Sequence, residues 1–136
     1  MLIRIIAVIL IFAFSTTDMS AAVCETFQVN VKVGNSAKVD KLGMTIKFVE
    51  VVEDSRCPEG AQCIWAGQAR VKIQVDRYHK TLAVFVLNLN EGKNSAEYGD
   101  QTITFKSLEP YPNAHKPSDP KTYTATFTVV SGHRNG

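Results

Sequence analysis

Apolar and polar residues alternate along most of the chain with the period of two that is typical of β-strands with one buried face. The alternation is cleanest in residues 27–33 and 122–130, and no stretch after the N-terminal apolar run has the period of an amphipathic helix. The pattern predicts six strands and one weaker strand, at residues 27–33, 37–42 (the weaker one), 44–53, 68–76, 81–89, 101–108 and 122–130.

Two of these strands depart from simple alternation. In residues 44–53 the apolar face changes between Phe48 and Val49. A β-bulge explains the change, and a central strand covered on both faces is the alternative; we favour the bulge because Lys47 and Glu50 need water. Residues 81–89 are apolar on both faces, which predicts a central strand, and their β-branched content argues against a short helix.

Strands joined by short connections predict an all-β domain, either an antiparallel β-sandwich with Ig-like or Greek-key connections or a partly open barrel. If successive strands alternate in direction, the loops at residues 54–67 and 90–100 lie at one end of the domain. The proline-rich loop at residues 109–120 and the turn at residues 77–80 then lie at the opposite end.

Residues 1–22 predict a signal peptide rather than part of the fold. Arg4 precedes ten apolar residues at 5–14, and the Ser-Ala-Ala sequence at 20–22 fits a small-residue cleavage site. A run of that length falls short of the roughly 20 residues that span a bilayer, which disfavours the alternative of an uncleaved anchor. We therefore expect residues 23–136 to form one exported domain, periplasmic or secreted, in an oxidising compartment.

The loop at residues 54–67 contains Cys57, Cys63 and the only tryptophan of the chain, Trp65. Two cysteines that enclose five residues in an exported protein predict a disulfide. A zinc site is the alternative, but two thiolates would need two further ligands, and the three histidines are scattered. An aromatic residue beside a disulfide in a sandwich predicts that Trp65 packs in the core, and an exposed contact for a ligand is the alternative.

The run Asp54-Ser55-Arg56-Cys57-Pro58, followed by Cys63 and then Trp65-Ala66-Gly67, forms the signature DSRCP-x4-C-x-WAG. This signature resembles that of small secreted bacterial β proteins, many of them uncharacterised periplasmic proteins or lipoproteins. The resemblance implies export, a β fold and the disulfide, and it carries no activity that could be transferred to this chain.

Cys24 is the odd cysteine. The resemblance suggests lipid attachment at Cys24, although Val23 and Ala21 match the residues of a lipobox poorly. Otherwise Cys24 is a thiol near the mature N-terminus, either free or paired with another molecule. A membrane association is expected only if Cys24 carries a lipid.

Composition and motifs narrow the function classes. A net charge of +2 without a cluster of basic residues does not favour a nucleic-acid partner. A nucleophile with a supporting base, a pair of catalytic carboxylates and a phosphate-binding glycine loop are not identifiable. We therefore expect neither an enzyme nor a cofactor, and no metal ligand set.

Rigid sandwiches often carry their function on end loops, so we predict a binding or accessory module for an unidentified protein or glycan partner. The candidate contacts are Arg56, Glu59, Gln62, Lys93 and Tyr98 at one end, and Tyr111, His115 and Lys116 at the other. The alternatives are a metal-handling protein that uses His79, His115, His133 and Met44, and a hydrolase that uses Ser55.

Overall fold

A computed structural model describes residues 24–78, 82–90 and 92–132 of the chain. The predicted signal peptide and the histidines at 79 and 133 lie outside the described residues. The strands are β1 (Glu25–Lys32), β2 (Ser36–Val39), β3 (Met44–Asp54), β4 (Ala69–Arg77), β5 (Ala83–Asn88), β6 (Ser95–Tyr98), β7 (Gln101–Glu109) and β8 (Thr124–Ser131). A single 3₁₀ turn at Asp40–Leu42 replaces the second half of the predicted weak strand.

The strands form two antiparallel sheets of four, in the orders β1-β8-β7-β6 and β2-β3-β4-β5. The predicted all-β sandwich with one disulfide is therefore confirmed, and the barrel alternative is not the fold observed. Alternate residues of each strand point between the sheets, because successive side chains of a strand point to opposite faces. Phe48, Phe105 and Phe127 fill the centre, with ring centroids 5.6 and 6.4 Å apart on either side of Phe127.

The predicted bulge in β3 is confirmed. The register with β4 shifts between Phe48 and Glu50, which leaves Val49 as the extra residue, and it shifts again between Val51 and Glu53. Both shifts keep the glutamates on the outer face. Glu50 there accepts a hydrogen bond from Lys72 on β4 at 2.6 Å.

The strand β6 was missed by the sequence pattern, and its presence reverses the predicted placement of the loops. It pairs with β7 through the turn at Gly99 and Asp100. Because this short strand inverts the chain direction once more, the proline-rich loop returns to the end that holds the cysteine loop. The prediction that these two loops lie at opposite ends is wrong.

The strand β5 lies at the edge of its sheet among the described strands, so the prediction of a central position is wrong. Its odd-numbered residues point toward the core, while Leu82, Val84 and Val86 point outward and are 65%, 52% and 44% exposed. An apolar outer face therefore reflects exposure here rather than a second covering layer.

The described chain begins and ends at the same end of the sandwich. Glu25 at the start of β1 lies opposite Ser131 at the end of β8. Asp100 marks this end too, because its carbonyl accepts a hydrogen bond from the amide of Gly132 at 3.0 Å. The cysteine loop follows the far end of β3, so it lies at the opposite end of the domain.

Candidate functional site

The predicted disulfide between Cys57 and Cys63 is present, with the two Cα atoms 5.8 Å apart. It closes part of the loop at residues 55–68 that joins β3 to β4; we call this segment the cysteine loop. The cross-link fixes the path of the chain directly before Ile64 and Trp65. Among the described residues, Cys24 is the one free cysteine, and it is exposed.

A buried ion pair stands at the base of the cysteine loop. The Nε and Nη2 atoms of Arg56 donate hydrogen bonds to the two carboxylate oxygens of Asp54 at 2.7 and 2.9 Å. Their side chains are only 5% and 7% exposed, and the hydroxyl of Tyr123 donates a further bond to Asp54 at 2.8 Å. The prediction that Arg56 is a surface contact for a partner is therefore wrong.

The ion pair at the base of the cysteine loop shifts the pKa values of three groups. Burial acts to raise the pKa of Asp54, but the hydrogen bonds from Arg56 and Tyr123 outweigh it and hold that pKa below its ordinary value. Burial acts to lower the pKa of Arg56, and the bonds to Asp54 reverse this, so its pKa is raised. Burial and the bond to Asp54 both raise the pKa of Tyr123. All three groups are therefore held in the protonation states that bind one another.

Arg56 also ties the cysteine loop to the proline-rich loop. Its Nη1 and Nη2 atoms donate to the carbonyl oxygens of Leu108 at 2.8 Å and Pro110 at 3.2 Å. Its guanidinium lies over the ring of Tyr111 at 4.8 Å, and the Tyr111 hydroxyl donates to the carbonyl of Cys57 at 2.9 Å. The five donors of an arginine suit it to this role, since one side chain bonds a carboxylate and two carbonyls.

Backbone hydrogen bonds also join the cysteine loop to the proline-rich loop. The amide of Glu59 donates to the carbonyl of Pro112 at 2.9 Å, and the amide of Ala114 donates to the carbonyl of Glu59 at 3.0 Å. His115 lies beside Gly60, where a Cβ atom would come within 3.2 Å of its Nε2. Tyr111 and His115, predicted for the end opposite the cysteine loop, therefore belong to the same end.

Gly67 closes the loop at a point that admits no side chain. Its φ of 67° lies in the left-handed region, and a Cβ atom there would overlap the carbonyl oxygen of Ser55. The two chain segments approach closely because backbone hydrogen bonds continue the β3–β4 ladder into the loop. The amide of Ser55 donates to the carbonyl of Gln68 at 2.8 Å, and the amide of Cys57 donates to the carbonyl of Ala66 at 3.2 Å.

At the tip of the cysteine loop, two large apolar side chains are exposed to solvent. Ile64 is 93% exposed and Trp65 is 82% exposed. The prediction that Trp65 packs in the core is wrong, because the bond between Cys57 and Ala66 carries the chain past the end of the sandwich before Trp65 is reached.

The remaining predicted contacts divide between the two ends. Glu59, Gln62, His115 and Lys116 are exposed on the joined loops, and Lys93 is exposed near Asn88, whose amide donates to the Lys93 carbonyl at 2.9 Å. Tyr98 is buried, only 9% exposed, and it pairs with Gln101 at the opposite end, so its prediction as a contact is wrong.

The described residues at this end form a small cavity and no metal-ligand cluster. A cavity of about 260 Å³ between Tyr111 and Lys116 is smaller than the roughly 300–1,000 Å³ of ordinary ligand pockets. Within the described residues, no three side chains of His, Cys, Asp and Glu come together as a metal site. Ser55 is occupied by loop bonds: its hydroxyl donates to Glu53 at 3.1 Å and accepts from the amide of Gln68 at 3.0 Å.

No protein-family profile matches the chain, and neither a curated protein nor a solved structure is similar to it at a significant level. Over the part of the chain that the structure describes, no helix has the length and apolar character needed to cross a bilayer. The case for a function therefore stands on the geometry of the joined loops.

Sequence reasoning missed two features of this site. Ile64 was overlooked, although two consecutive large apolar residues directly after a loop cysteine are a detectable signal. The inward direction of Asp54 and Arg56 was also missed. Residues two apart in an extended segment share a face, and Asp54 lies opposite buried Ala69, so both point toward the core side.

Proposed function

We propose that this protein is an exported binding module that inserts Trp65 and Ile64 into an apolar pocket of a protein partner. The observation that carries the proposal is the exposure of both side chains on a loop whose base is fixed by a disulfide and a buried ion pair. The signal peptide predicted for residues 1–22 and the resemblance to secreted bacterial proteins support export. The disulfide is consistent with an oxidising, exported location.

The energetics favour an apolar contact at the tip. Burying a tryptophan removes roughly 150–250 Å² from water. At roughly 25 cal/mol per Å², this stabilises a complex by about 4–6 kcal/mol before the entropic costs of association. Tryptophan is enriched among the residues that dominate protein interfaces, and a loop already rigid loses little conformational entropy on binding.

The surroundings of the tip favour a protein over other partners. Within residues 57–67 the only charged side chain is Glu59, so the exposed lysines at this end, Lys93 and Lys116, belong to other loops and not to the tip that would enter a membrane. A sugar would stack on the indole, but Ile64 has no hydrogen-bonding group for hydroxyls and is nearly fully exposed. An apolar protein pocket matches both side chains.

Intrinsic fluorescence gives a specific test, because Trp65 is the only tryptophan of the chain. Wild-type protein is used to capture partners from an envelope extract of the organism that encodes it, beside the double variant Ile64→Ser/Trp65→Ser. A partner that supports the proposal is retained only by the wild type. After purification it shifts the Trp65 emission to shorter wavelength and saturates at one partner per chain.

The matched control is Val52→Ser, which removes an exposed apolar side chain from β3 and should leave capture unchanged. Equal capture by the double variant, or the lack of any tip-dependent partner, contradicts the proposal. Lipid vesicles of phosphatidylethanolamine and phosphatidylglycerol, and a panel of soluble oligosaccharides, serve as further probes. An emission shift produced by either of these, instead of by a protein, also overturns it.

A further inference from the structure

We propose that the free edge of β5 binds the same edge of a second copy of this chain, in antiparallel pairing that joins two sheets across a two-fold axis. The inference concerns the β5 edge of the sheet β2-β3-β4-β5 and is independent of the Trp65 tip. It rests on the backbone bonds, the side chains and the charges of residues 82–88.

The backbone of Val84 and Val86 faces away from β4. The amide of Leu89 donates to Ala69 on β4, whereas the amide of Asn88 turns the other way and donates to Lys93. Because bonding direction alternates along a strand, the odd-numbered residues of β5 bond β4 and the even-numbered ones point to the open edge. Within the described residues, the amides and carbonyls of Val84 and Val86 have no backbone partner.

The side chains at the same positions are apolar and exposed. Val84 is 52% exposed and Val86 is 44% exposed, and Leu82 before them is 65% exposed. In antiparallel pairing, Val84 of one copy would face Val86 of the other on the outer surface. Cross-strand pairs of β-branched residues of this kind stabilise sheets.

The other three edge strands carry polar protection that β5 lacks. Sheet edges in natural proteins are commonly guarded by charged residues, by proline or by bulges, which prevent unwanted pairing. The outward residues of the other edges are Thr26, Gln28, Asn30 and Lys32 on β1, Ser36 and Lys38 on β2, and Ser95 and Glu97 on β6. On β5 the corresponding residues are Leu82, Val84 and Val86.

Charge favours a second copy as the occupant of this edge. The strand Ala83–Asn88 contains no charged residue, so two copies meet without a like-charged pair. Among the described residues, three cations lie beside the strand. Lys72 opposite Val86 is bonded to Glu50 at 2.6 Å, and Arg70 opposite Asn88 contacts Glu53 at 3.5 Å. Lys93 accepts a hydrogen bond from the amide of Asn88 through its carbonyl, beyond the two valines, and Val84 faces neutral Gln74. A two-fold contact also uses the same residues on both chains, so every unpaired donor at Val84 and Val86 meets an acceptor.

Analytical ultracentrifugation over a wide concentration series tests the proposal, with protein expressed from the full chain. The variant Cys24→Ser is the background for every sample, so that an intermolecular disulfide at that exposed thiol cannot imitate the contact. We expect a concentration-dependent dimer. The double variant Val84→Lys/Val86→Lys should weaken it by roughly a hundredfold or more, because juxtaposed like charges cost several kcal/mol.

Ser95→Lys on the edge of β6 is the matched control, since it adds a charge to the neighbouring edge and should leave the dimer unchanged. Val84→Thr/Val86→Thr keeps the branched shape and the backbone bonds and should weaken the dimer less than the lysine pair does. Far-ultraviolet circular dichroism verifies that each variant is folded.

Hydrogen exchange in the Cys24→Ser protein, without any further substitution, supplies a readout that leaves β5 unchanged. Dimer formation should protect the amides of Val84 and Val86 as the concentration rises, while Val31 in the core changes little. The proposal is overturned by a monomer at every concentration, by a dimer that tolerates both lysines, or by a dimer that leaves these two amides unprotected.

Discussion

The base and the tip of the cysteine loop differ in which kinds of side chain they bury. At the base, Asp54, Arg56 and Tyr123 are buried or partly buried, and their polar atoms are bonded to one another. At the tip, Ile64 and Trp65 are large, apolar and exposed. The charged side chains at the base are buried, and the apolar side chains at the tip are exposed to solvent. The ion pair at the base stabilises the isolated chain, whereas the exposed apolar pair at the tip does not, which is consistent with the proposed contact between the tip and a partner.

The largest effect is expected at the base. Replacing Arg56 with alanine leaves the Asp54 carboxylate buried without its partner and should lower the free energy of unfolding by roughly 3–5 kcal/mol. Denaturant titration measures the loss. Arg70→Ala is the control, since its contact with Glu53 at 3.5 Å is partly exposed and should cost about 0–1 kcal/mol. Similar costs for the two variants would show that the base does not hold the loop.

Gly67→Ala tests the close approach beside the base. The left-handed backbone and the overlap with the Ser55 carbonyl should together cost roughly 2–4 kcal/mol. Gly92→Ala is a matched control, because Gly92 has the same φ of 67° with no described atom near its Cβ position. It should cost only about 1–2 kcal/mol. Thermal unfolding of both variants separates the steric contribution, and equal losses would argue against it.

The disulfide should contribute less than the ion pair. Cys57→Ser/Cys63→Ser removes a short covalent loop and should lower stability by roughly 2–2.5 kcal/mol in the chain-entropy model. Reductant should reproduce this loss in the wild type and leave the double variant unaffected. Cys24→Ser should change nothing. A wild-type protein that is insensitive to reductant would mean that the cross-link does not brace the loop.

Low pH should destabilise the protein by protonating Asp54 at the base of the cysteine loop. Because the pKa of Asp54 is lowered on folding, its stabilising contribution is present above the unfolded value of about 3.9 and is lost as pH falls through the folded value. The unfolding midpoint should therefore decline below about pH 4. Asp54→Asn should reduce this decline, and an unchanged acid profile in that variant would assign the pH dependence to other carboxylates.

The smallest effect on stability is expected at the tip. Trp65→Ala should change the free energy of unfolding by no more than about 0.5 kcal/mol, because the side chain makes no buried contact in the isolated protein. A tryptophan in the core would cost roughly 3–5 kcal/mol on the same substitution. Quenching of the wild-type emission by acrylamide gives an independent measure. A large loss of stability, or an indole shielded from the quencher, would remove the contrast between base and tip.

The strands were predictable where one face meets the core and the other meets water. Residues 122–129 show this, because each inward position is apolar and each outward one is a threonine, and the change of face at Val49 marks the bulge. The strand β6 escaped detection since Ser95–Tyr98 is too short for alternation to stand out from a loop. The position of β5 was misjudged because an apolar outer face is equally compatible with burial and with an exposed edge.

The candidate site was less predictable because it depends on contacts distant in sequence. Sequence spacing predicts the disulfide between Cys57 and Cys63, and that prediction is confirmed. The direction of Trp65 depends on how far the ladder between residues 55–57 and 66–68 extends beyond the sheets, which hydrophobicity does not encode. The carbonyl partners of Arg56 lie 52 and 54 residues away, at the end of β7 and the start of the proline-rich loop, which the unpredicted β6 brings to this end of the domain.

Both termini of the described chain leave from the end remote from the indole, with Cys24 exposed directly before β1. A strand of nine residues spans roughly 30 Å, so about this distance separates an anchor at Cys24 from the cysteine loop. Any attachment there, whether a lipid or a maleimide-coated sensor chip, would hold the domain upright with Trp65 facing outward. The exposed thiol of Cys24 and the exposed indole of Trp65 therefore lie at opposite ends of the domain.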